Sequence, residues 1–512
     1  RQADVVAPVT ASRTRLDAYL AAKTHSSATV GQHDHPGAFT RKVDGARTVW
    51  LGLDFGTQNM KAAFRDGETD DQSVILELNP QAAGIDRYML APSLRVQGHD
   101  LVFDSTSKSD TPSWKHALSA SYGDSYRTDG RSIESWIANA RGQSGGFAEC
   151  STENMVLFFS SMHLGFVLAR VGEVVRQYYR QQQITDSLAF RVFMCAPVAA
   201  LDDQLSQLVF QDCLTIADQL HGVLDFSGEH IRMDKALEAF GQIRKLGVLL
   251  EPRLSRRARV VPEVIAEIAS YAQSRSAREG VYVLIDIGAG TLDLNVFKVV
   301  GPTADRGTTT PVYAASCHPN GVTHLETLLL DALGGGESHH RERFEEQKQQ
   351  MAFPDIATLA RACAGASGDI GHTERQLTGA HRHYCSDVAE RTRRTWGEAW
   401  DKRGMERDWE HLTMFLCGGG AAVRGIQDYL RAGMPDQIIR RISKGVLPCP
   451  AEEELVRPSS FPEDEFHRVA VAYGLTFGSD FEPYLLPSQV HKVQVHRETV
   501  DISERYVSKD MV

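Results

Sequence analysis

No two of the eight cysteines stand in a C-x-x-C spacing; they are scattered at positions 150, 195, 213, 317, 363, 385, 417 and 449. That speaks against a disulfide framework. In a chain of 512 residues with a core of its own, such thiols read as reduced and buried, in a cytoplasmic setting. No long block of Lys or Arg occurs. With 55 basic against 66 acidic residues the net charge is −11, which repels phosphate backbones, so a nucleic acid is not an expected partner. No apolar run is long enough to span a bilayer. The most apolar uncharged one, 154–169, carries Ser160, Ser161 and His163 and reads as a core helix, so no membrane is expected. The N-terminus does not show the basic-then-apolar order of a secretory signal.

What is present is an ordinary globular balance, 42% hydrophobic and 24% charged, over a length that suggests about three or four domains or subdomains. Residues 1–46 lack a sustained period and read as a mobile tail with a short helix at 16–23. Strands are then expected at 49–54, 60–64, 73–78, 93–97 and 100–103, before a loop-rich stretch, 105–150, with a helix at 132–140. Next come a helix at 153–183, a strand at 188–195, helices at 202–220 and 233–250 (the second ending at Pro252), a strand at 260–261 and a helix at 263–274. A hairpin follows at 281–286 and 292–299, then a helix at 322–333. A polar, mostly helical stretch covers 334–410. It precedes a strand at 413–417 and helices at 426–432 and 466–478. The alternation of strands and helices is the α/β signature. His381, His383 and Cys385 do not share one helical face and read as exposed rather than as a metal site. Arg391, Arg394 and Arg403 alternate with acidic residues as on a solvated face.

One unit occurs twice. Residues 51–58 read LGLDFGTQ and residues 284–291 read LIDIGAGT. Each is an apolar strand closed by an Asp, then a Gly/Thr turn, then a second strand. The duplication predicts two similar lobes. Backbone N–H groups of such a turn make an anion-binding concavity, and glycine lets the backbone approach a phosphate. Two such turns would grip a polyphosphate from both ends. Asp54 and Asp286 would hold Mg²⁺ through its waters, since Mg²⁺ dehydrates reluctantly. Thr57 and Thr291 would add hydroxyl contacts. A third segment, TMFLCGGGAAVRGI at 413–426, puts three glycines after a strand, where a flat adenosine could lie against the backbone.

These three segments resemble the two phosphate loops and the adenosine loop of the actin-like and DnaK-type heat-shock ATPases. The resemblance extends over about residues 48–478 through YMLAPSLRVQGHDLVF, FRVFMCAPVAALDDQLSQLVFQDC, RVVPEVIAEIASYA, GVTHLE and VAVAYGL, and points to the chaperones. It implies a two-lobed actin-like fold of duplicated ribonuclease-H-like domains with inserted helical and mixed subdomains. Lobe I would be 48–258 with an insertion at about 65–150. Lobe II would be 259–478 with a helical subdomain at about 331–410, and 479–512 a C-terminal tail. The resemblance further implies that Gly56, Thr57, Gln58, Gly288, Ala289, Gly290, Thr291 and Gly321 cradle the phosphates of ATP or ADP. Gly418, Gly419 and Gly420 would flank the adenosine. Asp54 and Asp286 would order Mg²⁺, and Asp293 would sit at a monovalent cation. Glu263 would position the lytic water, and Lys115, in PSWKHAL, is the candidate for the family's first-lobe lysine.

The chain departs from the family in several places. Pro262 and Val264 flank Glu263, Glu326 replaces a glycine after GVTHL, and Ala422 and Arg468 stand where the family has an Arg and an acidic residue. Residues 222–257 read as an insertion, either a packing helical hairpin or a partner-docking surface. The family's β-rich peptide-binding domain has no counterpart in 479–512. The expectation is therefore a cytoplasmic chaperone-like ATPase that switches conformation and acts on a protein partner. The alternatives are an actin-like filament protein, which would self-associate, and a nucleotide-sensing scaffold with negligible turnover.

Overall fold

The computed structural model describes residues 46–478 apart from 58, 68–71, 92, 105–112, 123–129, 144–149, 198–203, 255–256, 302–309, 335–342, 345–346, 348–354, 365–368, 403–408, 410–411 and 433–441. Both terminal tails, the helix expected at 16–23 and Gln58 lie outside the described residues. The fold is mixed α/β. Its described residues form two compact units: the first runs to Ser276 and resumes at Pro448, and the second is Ala277–Leu447.

In the first unit, β1 (Arg47–Phe55) is central, and its run of apolar residues is covered on both faces. It pairs antiparallel with β2 (Met60–Asp66), and β2 pairs antiparallel with β3 (Ser73–Ile75). On its other side β1 runs parallel to β6 (Leu188–Ala196), which runs parallel to β8 (Ala258–Pro262). The short β14 (Leu455–Val456) joins the outer edge, giving the order β14-β3-β2-β1-β6-β8. A second sheet is built from β4 (Ser93–Gln97), β5 (Asp100–Asp104) and β7 (His230–Arg232). Helices α1 (Trp114–Tyr122), α2 (Gly130–Gln143), α3 (Thr152–Gln181), α4 (Gln204–Val223), α5 (Met233–Leu254) and α6 (Glu263–Ala272) complete the connections. The apolar run 154–169 lies in α3, whose most apolar window is 89% buried inside the fold.

The last helix of this unit, α11 (Ala470–Leu475), is buried throughout and reaches the sheet because two glycines let backbones touch. A side-chain carbon on Gly52 would stand 2.2 Å from the Ala472 carbonyl, and one on Gly474 would stand 1.9 Å from that of Ala266.

The second unit repeats the plan. Its central β9 (Gly280–Ile287) pairs antiparallel with β10 (Leu292–Val299), and β10 with β11 (Val312–His318). On the other side β9 runs parallel to β12 (Leu412–Cys417), which runs parallel to β13 (Ile442–Val446). The order β11-β10-β9-β12-β13 matches β3-β2-β1-β6-β8 strand for strand and direction for direction. Helices α7 (Val322–Ala332), α8 (Ile356–Ala364), α9 (Ile370–Asp401) and α10 (Ile426–Ala432) cover it. The Asp369 side chain caps α9 by accepting the His372 N–H at 3.0 Å.

Several elements differ from the sequence expectation. Helix α1 occupies part of the stretch read as loop; Trp114, Ala117 and Leu118, at helical spacing, are its buried stripe. Residues 222–257 are not a helical hairpin, because β7 adds a strand to the small sheet before α5 begins. Helix α5 runs past Pro252 to Leu254. The closing helix is shorter than 466–478 because a 3-10 turn over Glu463–Arg468 precedes it. None of the eight cysteines forms a disulfide; five are buried and Cys150, Cys317 and Cys449 are half-buried.

His163 lies in the core of the first unit, its Nδ1 without a hydrogen-bond partner, near Trp114. Burial holds its pKa down from 6.5 to about 3. The unfolded chain therefore takes up a proton near pH 6.5 that the folded one refuses, so stability present above that pH is lost as pH falls towards 3. The expected loss between pH 7.5 and 5 is about 2 kcal/mol from this residue. Urea unfolding of wild type and His163→Leu at the two pH values measures it; an equal acid loss in both would contradict the assignment.

Candidate functional site

Each repeated hairpin places an Asp near the end of its central strand, and strand register decides what lies opposite. In the first unit Asp54 pairs with Lys61, seven positions on; in the second Asp286 pairs with Asp293, also seven positions on. Opposite residues of an antiparallel pair project from the same face. The two copies are thus alike in geometry and opposite in charge.

In the first unit Asp54 is buried, and both of its oxygens are engaged. The Lys61 ammonium donates to Oδ2 at 2.6 Å and the Cys195 thiol donates to Oδ1 at 3.4 Å. The parallel register of β1 and β6, pairing Leu53 with Met194, brings Cys195 beside Asp54. Glu263 opens α6 straight from β8, where a carboxylate suits the positive end of the helix. Lys115, 2% exposed on α1, donates to Glu263 Oε2 at 2.5 Å. Burial pulls the Lys115 pKa down, but the charges of Glu263 and Asp54 outweigh it, and the net shift is upward. Burial, then Glu263 and Asp54, pushes the Cys195 thiol well above its ordinary value, so it stays a protonated donor. Asp54, Cys195 and Glu263 have donor atoms within 4.8 Å of one another. Two ammonium groups already balance the two carboxylates, which leaves this set little negative charge for a metal ion.

The turn after β1 needs Gly56, since a side-chain carbon there would lie 2.1 Å from the Asn59 carbonyl. The Lys61 ammonium is 3.5 Å from that same position, at the turn. Thr57 is half-buried beside it.

In the second unit the turn Gly288–Thr291 closes through Gly288 N–H to the Thr291 carbonyl, 2.8 Å. Its carbonyls are taken by the start of α7: Gly288 accepts from Val322, Ala289 from Thr323 and Gly290 from Gly321. A trans peptide points its N–H opposite to its C=O, and no cis bond occurs among the described residues. The N–H groups of Ala289, Gly290 and Thr291 therefore point away from α7, as an anion cradle requires. Gly321 must be glycine, because a Cβ would come within 2.6 Å of the Ala289 carbonyl. Gly418, with φ +72°, lies against the end of β9, where a Cβ would meet Asp286 Oδ1 at 2.0 Å. Gly420 is packed on Ile287, whereas Gly419 has open space above it. Of the three glycines, Gly419 is thus the one open to a flat ligand. Asp286 and Asp293 are 7% and 4% exposed and stand opposite one another on the hairpin. Carboxylate oxygens are the kind of donor that Mg²⁺ takes.

Lys61 and Cys195 were not singled out from the sequence. The shared seven-residue offset could have revealed Lys61; nothing in the strand 188–196 marks Cys195. His381 and Cys385 lie on one side of α9, while His383 is exposed away from them. No model of a known protein family matches this chain, and a search of curated proteins finds no relative.

Replacing Lys115 by Met leaves Glu263 buried without its cation, which should cost about 3 kcal/mol or more. Denaturant unfolding of the variant tests this, and a loss under about 1 kcal/mol would show the pair to be dispensable.

Proposed function

We propose that the chain binds Mg·ATP and hydrolyses its terminal phosphate, using the change of state to act on a protein partner. The observation that carries this reading is the repetition of one five-strand order, each copy with an Asp near the end of its first strand and a glycine-containing turn after it. This is the arrangement implied by the resemblance to DnaK-type and actin-like ATPases, and the two-lobed fold of that superfamily is part of the proposal.

The roles follow from chemistry. The Ala289, Gly290 and Thr291 N–H groups donate to phosphate oxygens. Asp286 and Asp293 hold the cations, and Gly419 leaves room for the base. Magnesium, when bound, neutralises charge on the phosphates. Lys61 offers an ammonium to the phosphates at the first turn, oriented by Asp54, a role in place of direct metal ligation by Asp54. Glu263 orients the attacking water and takes hydrogen-bond support from Lys115. Positioning and charge neutralisation carry such a reaction, with little covalent work for the protein.

Phosphate release and nucleotide titration with wild type, Asp286→Asn and Glu263→Gln test the proposal. Asp286→Asn should weaken Mg·ATP binding by about tenfold to a hundredfold. Glu263→Gln should bind nucleotide but turn over about a hundredfold more slowly or worse. A wild type that neither binds nor hydrolyses ATP overturns the reading; Glu263→Gln at the parental rate removes Glu263 from the chemistry.

A further inference from the structure

The second phosphate turn is held by α7, and Asn320, two residues before α7, is tied to α9, the longest described helix of its unit. Asn320 Nδ2 donates to Asp387 Oδ2 at 3.3 Å, and its backbone carbonyl accepts the Tyr384 hydroxyl at 3.1 Å. Two further links continue along the same line. Arg391 donates to His318 Nδ1 at 3.2 Å, and the Ser316 and Thr395 hydroxyls share a hydrogen bond at 2.7 Å.

The spacing is regular on both sides. Residues 316, 318 and 320 follow the two-residue period of β11 and its extension, a step of about 6.8 Å. Residues 395, 391 and 387 follow the four-residue spacing of α9, a step of about 6 Å. The two steps nearly match, so strand and helix close as an antiparallel polar zipper. Apolar side chains would tolerate sliding. A row of directional hydrogen bonds is satisfied together in one register, and a shift of one helical turn would break all three links. The zipper ends at Asn320, whose neighbour Gly321 begins the contacts that fix the 288–291 turn.

We infer that Asn320 is a positioning residue for the second phosphate turn, through which the register of α9 sets how well that turn holds a phosphate. The inference rests on the nucleotide-binding reading for its ligand, but the link itself is independent of it. Asn320 acts by fixing where Gly321, Val322 and Thr323 present their N–H groups to the turn.

The test uses the full chain with Mg·ATP. Asn320→Asp puts two carboxylates against one another and removes the donor. Combined with Asp387→Asn, it restores one donor and one acceptor with their places exchanged. Two readouts are taken: Mg·ATP affinity, and amide exchange of Val322 and Thr323 without nucleotide. The single variant should bind on the order of tenfold more weakly and exchange faster, and the double variant should recover both to near wild type. Thermal unfolding identifies a general loss of fold, which the double variant would not repair selectively. If wild type binds Mg·ATP and the single variant binds equally well, the positioning role is overturned. If wild type does not bind, the nucleotide reading falls first. Amide exchange then decides: unchanged rates in the single variant overturn the positioning role as well.

Discussion

A carboxylate buried near the end of a central strand needs a counter-charge or hydrogen bonds, because the cost of leaving it bare exceeds what packing returns. Each unit of this protein builds such a carboxylate into a strand hairpin, and the residue seven positions on decides how it is answered. The first unit answers Asp54 from within, with Lys61 and Cys195. The second sets Asp293 opposite Asp286 on the hairpin. In the proposed function Lys61 serves the phosphates, and Asp286 and Asp293 serve the cation.

The glycines serve that arrangement. Gly418 and Gly321 lie where any side chain would strike Asp286 or the 288–291 turn, so the backbone closes around the strand end without pushing it aside. The three N–H groups on the far side of the turn are oriented by contacts that their own carbonyls make with α7. The anion cradle is thus a consequence of how α7 docks. Because α7 docks through Asn320 and the zipper to α9, a long helix remote in sequence has leverage on it.

The repeat was legible in the sequence because strand, Asp and Gly/Thr turn recur within eight residues, and local patterns of that length survive reading without coordinates. Lys115 was legible only by analogy, and its partner Glu263 lies 148 positions away. Such a pair is brought together by topology, which no local period reports. Lys61 was in reach, since its offset from Asp54 equals that of Asp293 from Asp286, but the change of charge disguised the equivalence. The strands β7 and β14 escaped because two or three residues show no alternation, and their place comes from the neighbour they pair with. The zipper escaped for the same reason as the Lys115 pair: Asp387, Arg391 and Thr395 look like a solvated helix face until β11 is laid beside them.

Amide hydrogen exchange at the second turn, with and without Mg·ATP, tests the central claim most directly. The account predicts that the Ala289 and Gly290 amides slow markedly when Mg·ATP is added, and that Mg²⁺ without nucleotide leaves them unchanged. Exchange at these two amides that is indifferent to Mg·ATP, in a sample shown to bind it, would contradict the account.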